Sequence, residues 1–257
     1  MTTPTAPAGA LFVVVPYFDE ERWLSATLAA LAVQSDTRFT LVLVDNASRD
    51  RSAAIAQEFA RSSPIASVEC ISEPLKGTGA AADTGFRHAI ARGAKWIART
   101  DADCLPDRDW VRNIKRAFTE SELEFIAGAV RARADEAPLS WIDRVALPAV
   151  HALIASYGRL TRRGPQYRYE SILVVGNNLA ISADLYLASG GFPRTRLEQG
   201  PNDRPLAEAV RQLTTRAALR EDVVVYNSLR RLRAFGYLNT LRWYRNRGYV
   251  PTHVDIR

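Results

Sequence analysis

Over roughly the first hundred residues, apolar and polar positions come in blocks and do not alternate singly. "LFVVV" (11–15) and "FTLVLV" (39–44) are unbroken apolar runs of strand length, the pattern of strands buried on both faces. "IASVECIS" (65–72) and "KWIAR" (95–99) complete a set of four predicted strands. Helical patterns lie between them. Residues 20–33 place Leu24, Leu28 and Leu31 at helical spacing behind an acidic first turn. "RSAAIAQEFARSS" (51–63) runs up to Pro64, and "GTGAAADTGFRHAIARG" (77–93) is a helix that opens on glycine. Strands alternating with helices of this length predict an α/β fold with a mostly parallel central sheet flanked by helices.

The second half is less regular. It predicts a strand at 124–133, a helix over 140–160 broken near Pro148, and a strand, a turn and a second short strand over 171–182. An amphipathic helix (205–216), a strand (222–227) and a basic, aromatic-bearing helix follow it. Residues 1–10 read as a short disordered lead, and 11–257 as a single domain.

In open parallel sheets, binding sites lie beyond the carboxyl ends of the strands. The polar clusters Pro16–Glu20, Asp45–Asp50, Glu73–Gly79 and Asp101–Asp107 all fall there, which predicts one shared rim and one candidate site. The 257-residue length, with 47% hydrophobic residues, supports a sizeable core. No apolar run reaches the about 18 residues that a transmembrane helix needs. The N-terminal stretch lacks the basic and apolar regions of a signal peptide. Cys70 and Cys104 are too few for a disulfide framework, which fits a reducing cytoplasm.

Charge adds one feature. From Arg216 to Arg257 there are nine arginines against Glu221, Asp222 and Asp255, so this tail carries the whole net charge of +6. Such a tail suits an anionic membrane surface, a nucleic acid, an acidic substrate or simple solvation.

Taken singly, the polar clusters are ambiguous. Asp45 suits a helix cap or turn as well as a nucleoside hydroxyl. "EPLKGTGAAADTG" lacks the order of a phosphate loop, since Lys76 precedes the glycines, and it leaves a helix N-terminus with one lysine that can approach an anion. "DAD" puts Asp101 and Asp103 on one side of an extended segment, where they can converge on a hard cation, or be no more than a polar loop.

Together, "VVVPYFDEE", "LVLVDNASRD", "KGTGAAADTG" and "RTDADCLPD", in this order at successive strand ends, resemble a family 2 glycosyltransferase of the GT-A fold. The resemblance covers residues 11–110 closely, and continues more loosely through "GNNLAISADLYLASGGF" and "GPNDRPLAEAV". It implies a nucleotide-sugar-binding half (11–135) and an acceptor-binding half (136–257) with a basic C-terminal helix. By the resemblance, Pro16, Tyr17, Asp19, Glu20 and Asp45 hold the nucleoside, with Lys76 and Asp83 beside the nucleotide. Asp103 ligates Mn²⁺ or Mg²⁺, and Asp101 contacts the ribose or the metal. Asp203, some ten residues after the Gly190–Phe192 turn, is the general base; as a residue at a helix start it also fits a cap.

The implied activity is inverting, metal-dependent transfer of one sugar, hexosyl in type, from a nucleoside-diphosphate sugar. The acceptor is a hydroxyl of a carbohydrate or lipid-linked molecule in cell-envelope glycan synthesis. The sequence departs from the family pattern at Asn202 (usually Glu), Asp19 (usually Asn) and Ala82 (often Arg). "NTLRW" (239–243) is similar to the Gln-x-x-Arg-Trp of processive synthases, but with Asn239 for Gln. Arg230, Arg231 and Arg233 are further candidates for the diphosphate, and His253 for closing on it; His88 and His151 fit structural roles.

A cytoplasmic protein, touching the inner membrane face through its basic helix, is the expected setting. A sugar-nucleotide pyrophosphorylase would show a Gly-rich loop where "PYFDEE" stands. A nucleic-acid partner is not expected, because carboxylates at the strand ends would repel phosphates. A nucleotide-binding scaffold without catalysis stays open on account of Asn202.

Overall fold

The computed structural model describes residues 11–136, 164–194 and 203–230, with Ala152, Ser156, Arg233 and Gly236. The N-terminal lead, the 140–160 helix, Asn202, His151, His253 and most of the basic C-terminal helix lie outside the described residues.

Among the described residues, eight strands form one sheet: β1 (Leu11–Tyr17), β2 (Thr40–Asp45), β3 (Ser67–Ser72), β4 (Trp96–Arg99), β5 (Cys104–Pro106), β6 (Phe125–Ala132), β7 (Leu179–Ser182) and β8 (Ala217–Asn227). Their order across the sheet is β3-β2-β1-β4-β7-β6-β8-β5. β1, β2, β3 and β4 pair in parallel, β7 runs against both β4 and β6, β8 lies parallel to β6, and β5 runs against β8. The sheet is therefore mostly parallel, as the blocks of apolar residues predict, with two reversed strands, β5 and β7.

Among the described residues, six helices cover it: α1 (Leu24–Ala32), α2 (Ser52–Ser62), α3 (Thr78–Ala91), α4 (Trp110–Glu120), α5 (Ala183–Ala188) and α6 (Asp203–Leu213). The buried β1 divides the core by its pleat. Leu11, Val13 and Val15 pack with Leu24, Leu28 and Leu31 of α1 and with Trp110, Ile114 and Phe118 of α4. Phe12 and Val14 face the other way, toward Ala81, Phe86 and Ala89 of α3, Tyr186 of α5, and Leu206 and Val210 of α6. Both faces are covered, which is why β1 is an unbroken apolar run. Small residues along α3 (Ala80, Ala81, Ala82, Gly85) let that helix lie close against β1 and β2.

Three expectations are corrected. No strand forms at 171–175; β7 already has β4 on one edge and β6 on the other, so no ladder position is left, and Ile172 and Val174 instead pack as partly buried side chains. The strand predicted at 222–227 begins five residues earlier, at Ala217, because the whole segment pairs with β6 through a register shift at Gly128/Ala129. The helix predicted over 205–216 ends at Leu213, where the side chain of Thr214 turns to Glu124 and its amide still reaches the carbonyl of Val210 (3.2 Å).

Candidate functional site

The carboxyl ends of β1, β2, β4, β6 and β8 and the start of the reversed β7 share one rim. All the acidic candidates of the first half, and Asp203, come from segments that meet there or border it.

Pro16 and Tyr17 close β1, with Tyr17 buried beside Asp45, its register partner on β2. Burial, with the Asp45 charge second, pushes the Tyr17 phenol well above its usual value. The next loop is zipped to the β2–α2 loop by reciprocal bonds. The Asp19 amide donates to Ser48 Oγ (3.2 Å) and the Arg49 amide to Asp19 Oδ1 (2.7 Å). The Glu20 amide donates to Ser52 Oγ (2.8 Å), the Glu21 amide to Asp50 (2.9 Å), and the Arg51 amide to Glu21 (3.0 Å). Asp19 sits at φ 51°, a left-handed conformation that non-glycine residues other than Asn and Asp rarely adopt. Asp45 Oδ1 accepts from the Ser48 amide (3.0 Å), so it does shape a turn, and its side chain remains partly exposed at the rim.

Asn46 is the anchor that sequence reasoning passed over. Its Nδ2 donates to the carbonyls of Glu73 (2.9 Å) and Leu75 (2.8 Å), and its Oδ1 accepts from the Gly77 amide (2.8 Å). These bonds fix the loop that carries Lys76 into the start of α3. Lys76 is exposed, with its ammonium 4.6 Å from the centre of the Phe18 ring. In that loop Glu73 accepts from Thr84, Arg194 (2.7 Å) and the Leu75 amide (2.7 Å), and these partners hold its carboxyl below the usual range against the opposing effect of burial.

Asp83 is placed differently from its fellows. It is fully buried inside α3, accepting from Tyr186 Oη (2.8 Å), Arg87 Nε (2.9 and 3.0 Å) and Arg194 (3.3 Å). Tyr186 Oη in turn accepts from the Phe192 amide (3.0 Å). Asp83 therefore supports the Gly190–Gly191 turn, whose φ values of 83° and 78° demand glycine at both positions.

The Asp101–Asp103 pair leaves β4 between two arginines. Arg99, 3% exposed, donates through Nε (3.1 Å) and Nη2 (2.8 Å) to Asp101 Oδ1. Arg230, at the end of β8, ion-pairs with Asp103 Oδ2 (3.2 Å) and Glu20 and lies 5.7 Å from the Trp23 ring centre. Nε and Nη1 of Arg230 are buried without a hydrogen-bond partner among the described residues. Arg133, also buried, donates to the Asp103 carbonyl (2.8 Å) and pairs with Asp135 and Glu136. Cys104 is wholly buried with its thiol pushed far up by desolvation; it is a packing residue, in contact with Asp103, Asn177 and Asn227.

A divalent cation fits this donor set. Arg99 takes one oxygen of Asp101 and Arg230 one of Asp103; the second Asp103 oxygen meets the weak Cys104 thiol donor (3.5 Å), which a hard ion would displace. Among the described residues, no group of three or more His, Cys, Asp and Glu could hold a metal alone. The fit is thus to an ion held by one or two carboxylates and completed by phosphate oxygens, the habit of Mg²⁺-type sites.

Asp203 opens α6. Its Oδ2 accepts from the Gly176 amide (3.0 Å) and its Oδ1 from the Arg204 amide (3.0 Å). Burial raises its carboxyl above the usual value, with the nearby Arg99 charge pulling the other way. Asp203 is thus the first residue of the helix, an acid in its first turn, and its bonds to the Arg204 and Gly176 amides are compatible with the candidate base role. His88 of α3, by contrast, pairs with Glu69 of β3, away from these acids, in keeping with a structural role. Among the described residues, no helix is long and apolar enough to cross a membrane.

Residues 12–182 match the family model described as Glycosyl transferase family 2. Curated relatives from strains of Pseudomonas aeruginosa, named undecaprenyl-phosphate 4-deoxy-4-formamido-L-arabinose transferase, are 29% identical over 201 residues, or 75% of this chain. The alignment spans 57% of those relatives' length. Among solved structures, the mannosyltransferase PcManGT of Pyrobaculum calidifontis, in complex with GDP-Man and Mn²⁺, superposes with a TM-score of 0.65 at 21% identity, covering 97% of this chain and 68% of that one. S. aureus TarS, residues 1–349 with UDP-GlcNAc, gives 0.64 at 14% identity, covering 85% and 58%. At these identities the two structures speak for the fold alone.

Proposed function

The chain belongs to glycosyl transferase family 2, and from that premise we propose that it moves one sugar from a nucleoside-diphosphate donor to an acceptor hydroxyl with inversion, assisted by Mn²⁺ or Mg²⁺. The carrying observation is the meeting on one rim of Asp45, the Asp101–Asp103 pair and Asp203, with Arg99 between the last two groups. In this reading Pro16, Tyr17, Asp19, Glu20 and Asp45 form the nucleoside side, and Lys76 lies beside the phosphates. Asp83 acts from behind, through Tyr186 and Arg194.

Asp103 and Asp101 would hold the cation. Bound there, the ion supplies neutralising charge to the departing diphosphate. Arg230 keeps Asp103 and Glu20 in register and adds positive charge on the same side. Asp203 takes the proton of the acceptor hydroxyl as its oxygen attacks the anomeric carbon opposite the leaving diphosphate. Residues 11–135 serve the donor and 136–257 the acceptor.

A lipid-linked acceptor in cell-envelope glycan synthesis is favoured by the name of the Pseudomonas relatives and by the arginine-rich tail, which suits peripheral contact with an anionic membrane. A thermal-shift screen of nucleoside diphosphates and sugar nucleotides, with and without Mn²⁺, tests the reading. A donor at about 100 times its Kd stabilises the fold by roughly 2.7 kcal/mol. Stabilisation that needs both nucleotide and metal is expected; a flat response across the set would refute it.

A further inference from the structure

Arg99 is the charged member of an otherwise apolar strand, and its side chain is 4% exposed. A guanidinium buried in this way is costly unless its charge is met on several sides. One side is met by Asp101, which accepts from Nε and Nη2 on the same oxygen. A second is met by the Phe192 ring, 5.4 Å from the guanidinium carbon, which belongs to the turn held by Asp83 and Tyr186.

The third side is the informative one. Gly176 separates Arg99 from Asp203: a Cβ added there would lie 3.4 Å from Arg99 Nη1, 3.3 Å from Asp203 Cβ and 3.5 Å from Asp203 Oδ2. The guanidinium and the carboxylate thus flank one bare α-carbon, close enough for their charges to act on each other. The same glycine's amide also binds Asp203 Oδ2. Arg204, next to Asp203 in sequence, turns its own guanidinium to Glu208 (2.9 Å).

We propose that Arg99 is a positioning residue for the transfer step: one buried guanidinium sets Asp101 on the donor side and Asp203 on the acceptor side in fixed relation to each other. The inference rests on reading Asp203 as the base. It accounts for two choices in the sequence. Lysine at 99 would supply the charge but not the planar fork that binds Asp101 through Nε and Nη2 while Nη1 faces Gly176 and the Asp203 charge. A methyl at 176 would crowd Asp203 Cβ (3.3 Å), so that the carboxylate must give by a few tenths of an ångström.

The test uses the full chain and the variants Arg99→Lys, Gly176→Ala and Asp203→Asn. Calorimetric Kd values for UDP and GDP with Mn²⁺ are measured beside kcat for nucleoside diphosphate release from UDP-GlcNAc and GDP-Man. Asp203→Asn should bind normally and fail to turn over; normal turnover by this variant would refute the base assignment, whatever Arg99 does. With Asp203→Asn inactive, Gly176→Ala should keep Kd within about threefold while kcat falls by about three- to tenfold, a smaller penalty than the about 10²-fold of a 1 Å misplacement because the crowding is only a few tenths of an ångström. Arg99→Lys should lose kcat more steeply than nucleotide affinity. Should Arg99→Lys fail to fold, Gly176→Ala decides alone. Variant kcat within about twofold of wild type, or losses in kcat and affinity that run in parallel, would overturn the proposal.

Discussion

Replacing Asn46 with alanine removes three hydrogen bonds at once: those to the carbonyls of Glu73 and Leu75 and the one from the Gly77 amide, at 2.8–2.9 Å. Asn46 is 5% exposed, so its partners lose their bonds in a site that water enters poorly. A hydrogen bond is worth about 1 kcal/mol net and an orphaned buried group costs about 1–3, so the loss should be about 3 kcal/mol. For a domain of this size that lowers Tm by roughly 6–12 °C. The same bonds hold the Lys76 loop, so nucleotide affinity should weaken together with stability. Differential scanning calorimetry and a calorimetric Kd for the nucleoside diphosphate read the two effects on one preparation. A Tm within about 2 °C of wild type would show that the loop is held by something else.

Trp110→Phe should destabilise by about 2–3 kcal/mol in urea unfolding, since it trims a fully buried ring and strips Asn178 Oδ1 of its indole donor (2.9 Å). Asp19→Asn should leave Tm within about 1 °C, because asparagine favours the left-handed backbone at φ 51° and still accepts from the Arg49 amide; a large loss would mean that the charge itself is needed. The raised Asp203 carboxyl sets a sign for pH. A base must be ionised, so the acid limb of kcat should lie above 3.8, the ordinary value. In stability the group favours its protonated form when folded, so its contribution declines as pH rises from 3.8 through the raised value. A pH–rate profile flat down to 3.8 would remove Asp203 from the base role.

The four strand-end clusters were legible because parallel strands buried on both faces announce themselves as apolar runs, and because sites follow from where such strands end. What stayed hidden depends on partners far away in the chain. One exception is local: α4 is missing from the predicted elements although "WVRNIKRAFTE" places Trp110, Val111, Ile114 and Phe118 at helical spacing. β5 is three residues long and exists only because β8 pairs with it. Ile172 and Val174 are apolar enough for a strand, but the sheet has no free edge beside β7.

The same division holds at the site. Asp101, Asp103 and Asp203 could be named from motifs. Arg99 could not, since it ends a strand like any polar residue until β7 brings Gly176 and α6 brings Asp203 beside it. Asn46 and Asp83 likewise owe their roles to the Glu73–Gly77 loop and to Tyr186.

The central claim, metal-assisted transfer from a nucleotide sugar at the Asp101–Asp103 rim, is tested most directly by nucleoside diphosphate release from the donor selected by thermal shift. Wild type and Asp103→Ala are compared, each with Mn²⁺ and with a chelator. The account predicts release by wild type with Mn²⁺, loss on chelation, and a drop of at least about 10²-fold in a folded Asp103→Ala. Wild-type turnover by that variant, or release unaffected by the chelator, would contradict it.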